Sequence, residues 1–138
     1  MKYLCLIYDD EATLAAMSQS EGDAFMGEYH AFTSAIQASG RYVAGEALQP
    51  VHTATTVRIR NGRLTTTDGP FAETREQFGG FYLIEARDLN EALQVAARIP
   101  SARTGSVEVR PVVDFGPPPE ATDASGGHAA GRATSGAA

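Results

Sequence analysis

Two stretches of this chain repeat one order of segments, strand then helix then strand, with an Asn-Gly hairpin pair between them, and that order leaves few folds open. The run Tyr3-Leu4-Cys5-Leu6-Ile7-Tyr8 is short, aromatic and aliphatic, and is halted by Asp9-Asp10, so residues 2–8 read as a buried strand. A polar connection with some helical tendency follows over 11–20. Ser20 and Asp23 then offer a cap, and Phe25, Tyr29, Phe32 and Ile36, at spacings of 4, 3 and 4, draw one apolar stripe on a helix. Gly40 is placed to end that helix in the left-handed conformation. Arg41–Glu46 reads as the second strand.

Thr55, Val57 and Ile59 alternate with Thr56, Arg58 and Arg60, which predicts a half-buried strand; Asn61-Gly62 turns it, and Arg63–Thr67 returns. After the loop Asp68–Gly79 the strand-helix-strand order recurs. Gly80–Ala86 is a strand, Asp88 and Glu91 form a capping box, and Leu89, Leu93, Ala96 and Ala97 make a helical face that stops before Pro100. Ser106–Val112 alternates as the last strand. The fold class is therefore α+β, a ferredoxin-like split βαβ with an inserted hairpin and helices on one face of an antiparallel sheet. Strand residues of both parities are apolar (Leu4 and Leu6 as well as Tyr3, Cys5 and Ile7), although the helices can cover one face alone. A second subunit packed sheet to sheet is the simplest cover, which predicts a homodimer. Residues 1–115 form the domain, while 116–138, rich in Gly, Pro, Ala and Ser, read as a disordered tail that takes His128 with it.

Composition excludes several function classes. A net charge of -6 argues against a nucleic-acid groove, which needs clustered Lys and Arg to displace counterions from phosphate. Cys5 is the single cysteine, so no intrachain disulfide forms and it reads as an inert buried thiol. No apolar run is long enough for a membrane span, and Lys2 leading directly into a strand is no signal peptide, so a cytoplasmic address is expected. No two histidines have helical metal-ligand spacing; neither a metal nor a cofactor is expected.

The most distinctive stretch is Asp68-Gly69-Pro70-Phe71-Ala72-Glu73-Thr74-Arg75-Glu76. It resembles the motif of the DGPF subgroup of YCII-related proteins, with Arg75 where that motif has lysine. The resemblance runs from residue 1 to about 115 and includes Gly45-Glu46-Ala47-Leu48 and Val107-Glu108-Val109-Arg110-Pro111. It implies a dimeric α/β-barrel. Some wider YCII-related relatives look like lyases or dehydrochlorinases using a His–Asp pair, and DGPF members are often encoded beside extracytoplasmic-function sigma factors. In the YCII-related pattern the functional histidine stands on the first helix, eleven residues before its terminal glycine; counted back from Gly40 that position is Tyr29, with His30 adjacent, and the partner acid falls nearest Glu46.

Asp68 has two readings. Its carboxylate, with Glu73 and Thr74 nearby, can act as an acid/base group or bind a polar substrate; alternatively it caps its own Asp-Gly-Pro turn while Phe71 anchors the loop in the core. His30 is an imidazole suited to proton transfer near neutral pH, though it lies well off the apolar stripe, where the position reads first as a solvated flank residue. Tyr29 and Tyr82 either point hydroxyls into a pocket or are core residues with a satisfied tip. The sequence therefore points to catalytic candidates Asp68, Glu46 and His30 and binding candidates Tyr29, Glu73, Thr74 and Tyr82. They would serve a small-molecule pocket between sheet and helices and metal-free acid/base chemistry of the lyase or isomerase type. The competing reading is a non-catalytic regulatory or sensor module acting with a sigma factor.

Overall fold

Alternation along the first strand decides which way the sheet faces. In the computed structural model, which describes residues 1–119, β1 (Lys2–Asp9) buries Tyr3, Cys5, Ile7 and Asp9 on one face and leaves Leu4, Leu6 and Tyr8 half-buried on the other. A short helix α1 (Glu11–Ala15) starts at Asp10, whose side chain accepts the Ala12 N–H. The long helix α2 (Gln19–Ala38) is capped by Ser18 rather than Ser20: the Ser18 hydroxyl accepts the Glu21 N–H while the Glu21 carboxylate accepts the Ser18 N–H. Three residues after Ser18 stands a glutamate long enough to reach back; three after Ser20 stands only the shorter Asp23. Phe32 and Ile36 of the stripe are buried, Phe25 and Tyr29 half-buried, and Gly40 ends the helix at φ 76° as expected.

β2 (Tyr42–Ala47) leads through a 3₁₀ turn (Val51–Thr53) to β3 (Thr55–Arg60) and β4 (Arg63–Asp68), then β5 (Gln77–Glu85), α3 (Leu89–Ala96), α4 (Ser101–Thr104) and β6 (Ser106–Pro111). The main sheet has the order β2-β5-β1-β6, all neighbours antiparallel, which is the ferredoxin-like arrangement with the third main strand beside the first. The mixed α+β class and the split βαβ order expected from the sequence are both present. β3 and β4 form a separate two-stranded sheet, and both residues of its Asn61-Gly62 turn have positive φ (53° and 73°) as a type I′ turn requires.

Two packing expectations need correction. Val57 and Ile59 were expected on a half-buried face, yet they are 60% and 65% exposed, as is Leu64 opposite Ile59 at 65%. Among the described residues the hairpin strands pair only with each other, and Val57, Ile59 and Leu64 stay exposed. In α3 the buried residues are Ala92, Val95 and Ala96, continued by Ile99, while Leu89 and Leu93 are exposed. The small alanines face the sheet and allow close approach, so the helix is rolled by about one residue from the expected face. Its cap is as expected in one half: Asp88 accepts the Glu91 N–H, but the Glu91 carboxylate takes the N–H of Arg87 instead of that of Asp88.

The core joins Tyr3, Cys5, Ile7, Phe32, Ile36, Tyr82, Ile84, Val95 and Ile99 between the helices and one sheet face. Cys5 is fully buried there, and loss of solvation pushes its thiol up to about 11. The last element ends at Pro111, and most of the tail reading, His128 included, lies outside the described residues. Among those residues no helix is long and apolar enough to cross a membrane.

Candidate functional site

Where β1 ends, its alternation carries one polar residue into the interior. Asp9 follows Tyr3, Cys5 and Ile7 on the helix-facing side and is only 7% exposed. Its Oδ1 accepts a hydrogen bond from Thr104 Oγ1 at 2.8 Å, which ties β1 to the end of α4. Gly105 makes that approach possible: a Cβ there would run into the Tyr8 carbonyl oxygen and lie 2.6 Å from Asp9 Oδ1.

Asp9 lines a cleft of about 370 Å³ between α2 and the β2, β5 and β1 strands, with Ser101 at its inner end. The wall from α2 brings Phe25, Met26, Tyr29, His30 and Thr33. These positions fall three or four residues apart or adjacent, so one helix supplies them from a single side. Tyr29 meets Phe25 edge-on at 5.4 Å and stacks nearly parallel to Tyr82 at 6.5 Å between ring centroids. Its hydroxyl is 2.6 Å from Ser101 Oγ, and the Tyr82 hydroxyl is 2.6 Å from Thr33 Oγ1. Gly80 keeps the strand floor low: a Cβ would lie 2.7 Å from the Glu46 carbonyl oxygen, so β2 and β5 could not approach as they do.

The electrostatics of the cleft assign its groups different tasks. Burial raises the Tyr29 hydroxyl above its ordinary value, the Ser101 hydrogen bond opposes that rise, and the negative charge of Asp9 adds to it. Burial raises Tyr82 likewise, against a hydrogen bond from Thr33. Both phenols therefore stay protonated near neutral pH and serve as hydrogen-bond donors or proton sources, never as bases. Groups able to take a proton at the cleft are the Asp9 carboxylate, the His30 imidazole and, at the rim, Glu46.

Of the residues expected from the sequence, the cleft unites Tyr29, His30, Glu46 and Tyr82. His30 and Glu46 are exposed side chains at its edge, and Glu46 stands opposite Phe81, on the strand face turned away from Gly45 and Tyr82. The other three are elsewhere. Asp68 is exposed at the end of β4, paired with Thr55, and Glu73 is exposed in the following loop. Thr74 borders a second cavity of about 550 Å³ on the opposite face of β1, formed with Leu6, Tyr8, Pro50, Phe71 and Phe78.

The expected loop cap at Asp68 is not formed: among the described residues its carboxylate accepts no hydrogen bond. The Gly69 N–H donates instead to the Ala54 carbonyl at 2.8 Å, and Thr56 Oγ1 donates to the Gly69 carbonyl at 2.9 Å, so β3 does the holding. Phe71 does not anchor the loop in the core; it is 81% exposed, with the Arg58 guanidinium 5.8 Å from its ring centroid. Asp9, Ser101 and Thr33 were missed. For Asp9 the period-2 parity with Tyr3, Cys5 and Ile7 was the available signal, obscured by reading Asp9-Asp10 only as a stop. Ser101 carried none, because its role depends on Tyr29, 72 residues away.

Comparison with known proteins fits this frame. The YCII-related domain family matches residues 1–116. A protein of Rhizobium meliloti (strain 1021), described as uncharacterized, is 39% identical over 119 residues, covering 85% of this chain and 96% of the relative. With its match spanning nearly every described residue, the chain belongs to the YCII-related domain family.

Proposed function

We propose that this YCII-related domain binds a small organic molecule in the Asp9–Tyr29 cleft and performs acid/base chemistry on it, of the lyase or isomerase type. The observation that carries the reading is Asp9: a carboxylate almost fully withdrawn from water, at the inner wall of an aromatic cleft that also holds protonated tyrosine hydroxyls and an imidazole. A mostly apolar cavity with few convergent polar groups is the usual form of a small-molecule site. Proton abstraction by Asp9 or His30, with Tyr29 donating toward developing negative charge, is the chemistry such a set can do. Among the described residues the second cavity has no Asp, Glu, His, Lys or Arg on its wall to offer comparable chemistry.

The resemblance of residues 68–76 to the DGPF motif supports placing the chain in that subgroup, and the alternative of a sensor working with a sigma factor rests on that resemblance alone. The dimer reading has support of its own. Leu4, Leu6, Phe81 and Leu83 share the sheet face away from the helices, and Val57, Ile59 and Leu64 present an exposed apolar patch on a hairpin carrying three arginines in a chain of net charge -6. By register that open sheet face also carries Glu46, Glu85 and Glu108 beside Lys2 and Arg110, so its apolar residues are what the apolar side of a second copy's hairpin would meet.

A thermal-shift screen of small molecules tests the functional reading, since selective binding to the native state raises Tm. Hits should lose turnover, measured at saturating ligand, by about 10²–10⁴-fold in Asp9→Asn or His30→Gln, the range for a positioned acid/base group. Turnover that survives both substitutions refutes the acid/base role, and a hit bound tightly without reaction favours the sensor.

A further inference from the structure

Resting on the reading of the cleft as a binding site, we propose that its ligand is an organic cation: a small amine, protonated at neutral pH, with an apolar or aromatic body. Three features of the wall converge on this class.

The first is charge. Asp9 lines the cleft with its side chain, while Glu46 borders it from a position whose side chain faces the other side of the sheet; among the described residues neither lysine nor arginine lines it, and the imidazole of His30 is the single nitrogen base on the wall. Asp9 makes no ion pair among the described residues, and its recorded hydrogen bond, from Thr104, uses Oδ1. Its Oδ2 accepts no hydrogen bond among the described residues and is available to a ligand. A carboxylate withdrawn this far from water is costly unless a donor or an opposite charge meets it. An anion would face the Asp9 carboxylate with no fixed cation among the described residues to offset it.

Aromatic rings supply the second feature. Phe25, Tyr29, Tyr42 and Tyr82 all border the cleft, and Tyr42 meets Tyr82 edge-on at 6.4 Å. Ring faces carry negative potential and attract cations, most strongly where water is excluded. Such walls also suit an apolar body.

The third concerns the hydroxyls. Tyr29 is already bonded to Ser101, and Tyr82 to Thr33, each at 2.6 Å. Each pair shares one hydrogen bond and keeps one hydroxyl proton to donate, while the Asp9 carboxylate is the charged acceptor on the wall. Ammonium N–H groups would have that charged acceptor, whereas a ligand carboxylate would meet only neutral hydroxyl donors beside a like charge. Recognition by Asp9 and the rings would thus select amine over alcohol and acid of the same shape.

The test uses three probes built on one ring, benzylamine, benzyl alcohol and benzoate, titrated into the full chain at neutral pH. Binding is followed by NMR shifts of the tyrosine resonances, assigned with Tyr29→Phe and Tyr82→Phe. The expected result is saturable binding of benzylamine about 10–100-fold tighter than benzyl alcohol, the range a charge-assisted hydrogen bond supplies, with benzoate weakest. Asp9→Asn, checked for folding by circular dichroism, should bring the amine down to the affinity of the alcohol. Should that variant unfold, the three-probe comparison in the native chain still decides. Benzoate or benzyl alcohol binding as tightly as benzylamine overturns the cation proposal and leaves the cleft standing as a site. An amine preference that survives in folded Asp9→Asn overturns the role given to Asp9. Silence from the cleft tyrosines with all three probes overturns the binding-site reading itself.

Discussion

Replacing Tyr29 by phenylalanine removes one oxygen from the cleft and leaves the aromatic packing against Phe25 and Tyr82 in place. Its consequence falls on Ser101, which is 2% exposed and whose hydroxyl has Tyr29 as its recorded partner. A buried hydroxyl left without a partner costs about 1–3 kcal/mol. The reverse change, Ser101→Ala, leaves the Tyr29 hydroxyl at the wall of an open cleft where water can reach it, so the loss is nearer the net worth of one hydrogen bond, about 0.5–1.5 kcal/mol. The double variant has no orphan and should cost less than the two singles together, by about 0.5–1.5 kcal/mol. Urea denaturation of the four proteins measures the cycle, with equal m-values as the check that the transition stays comparable. Additive losses, or Ser101→Ala costing more than Tyr29→Phe, would refute both the pairing and the inference that Ser101 is sealed while Tyr29 faces the cleft.

The remaining predictions concern charge, motif and assembly. Glu91 is held below its ordinary value of 4.5 chiefly by the Arg87 backbone N–H, with Arg41 next, and Ser18 does the same for Glu21. Carboxylates depressed in the folded state stabilise fully above the unfolded value and lose that contribution as pH falls through the folded one. Tm should therefore be level above about pH 5 and fall below it, less steeply in Glu91→Gln; parallel curves for the two proteins would discount the Arg41–Glu91–Arg87 cluster. Because the Asp68 carboxylate makes no recorded hydrogen bond, Asp68→Asn and Asp68→Ala should both lie within about 0.5 kcal/mol of the parent in stability. A larger loss in the alanine variant alone would restore the cap, whereas a change in ligand turnover at unchanged stability would give the motif a functional role. Light scattering should find a dimer at micromolar concentration that Ile59→Lys splits; a monomeric parent protein ends the dimer reading.

The order of elements was written in local pattern. A run of aromatic and aliphatic residues, an i, i+3, i+4 stripe, the Asn61-Gly62 pair and the Asp88 cap each act over a few neighbouring residues, so each could be read from the chain and each appears in the fold. Half of the site was legible for the same reason: Tyr29 and His30 ride on a helix whose stripe is plain, and Tyr82 on an unmistakable strand. What remained was decided by contacts distant in sequence. Asp9 is buried because Thr104 and Gly105 close over it from 95 residues away, and Ser101 matters only because Tyr29 reaches it. The same holds in reverse for Phe71, Val57 and Ile59, whose apolar side chains announced burial that no element among the described residues provides. Hydrophobicity states that a side chain gains by leaving water; the tertiary arrangement alone determines whether a surface is there to receive it.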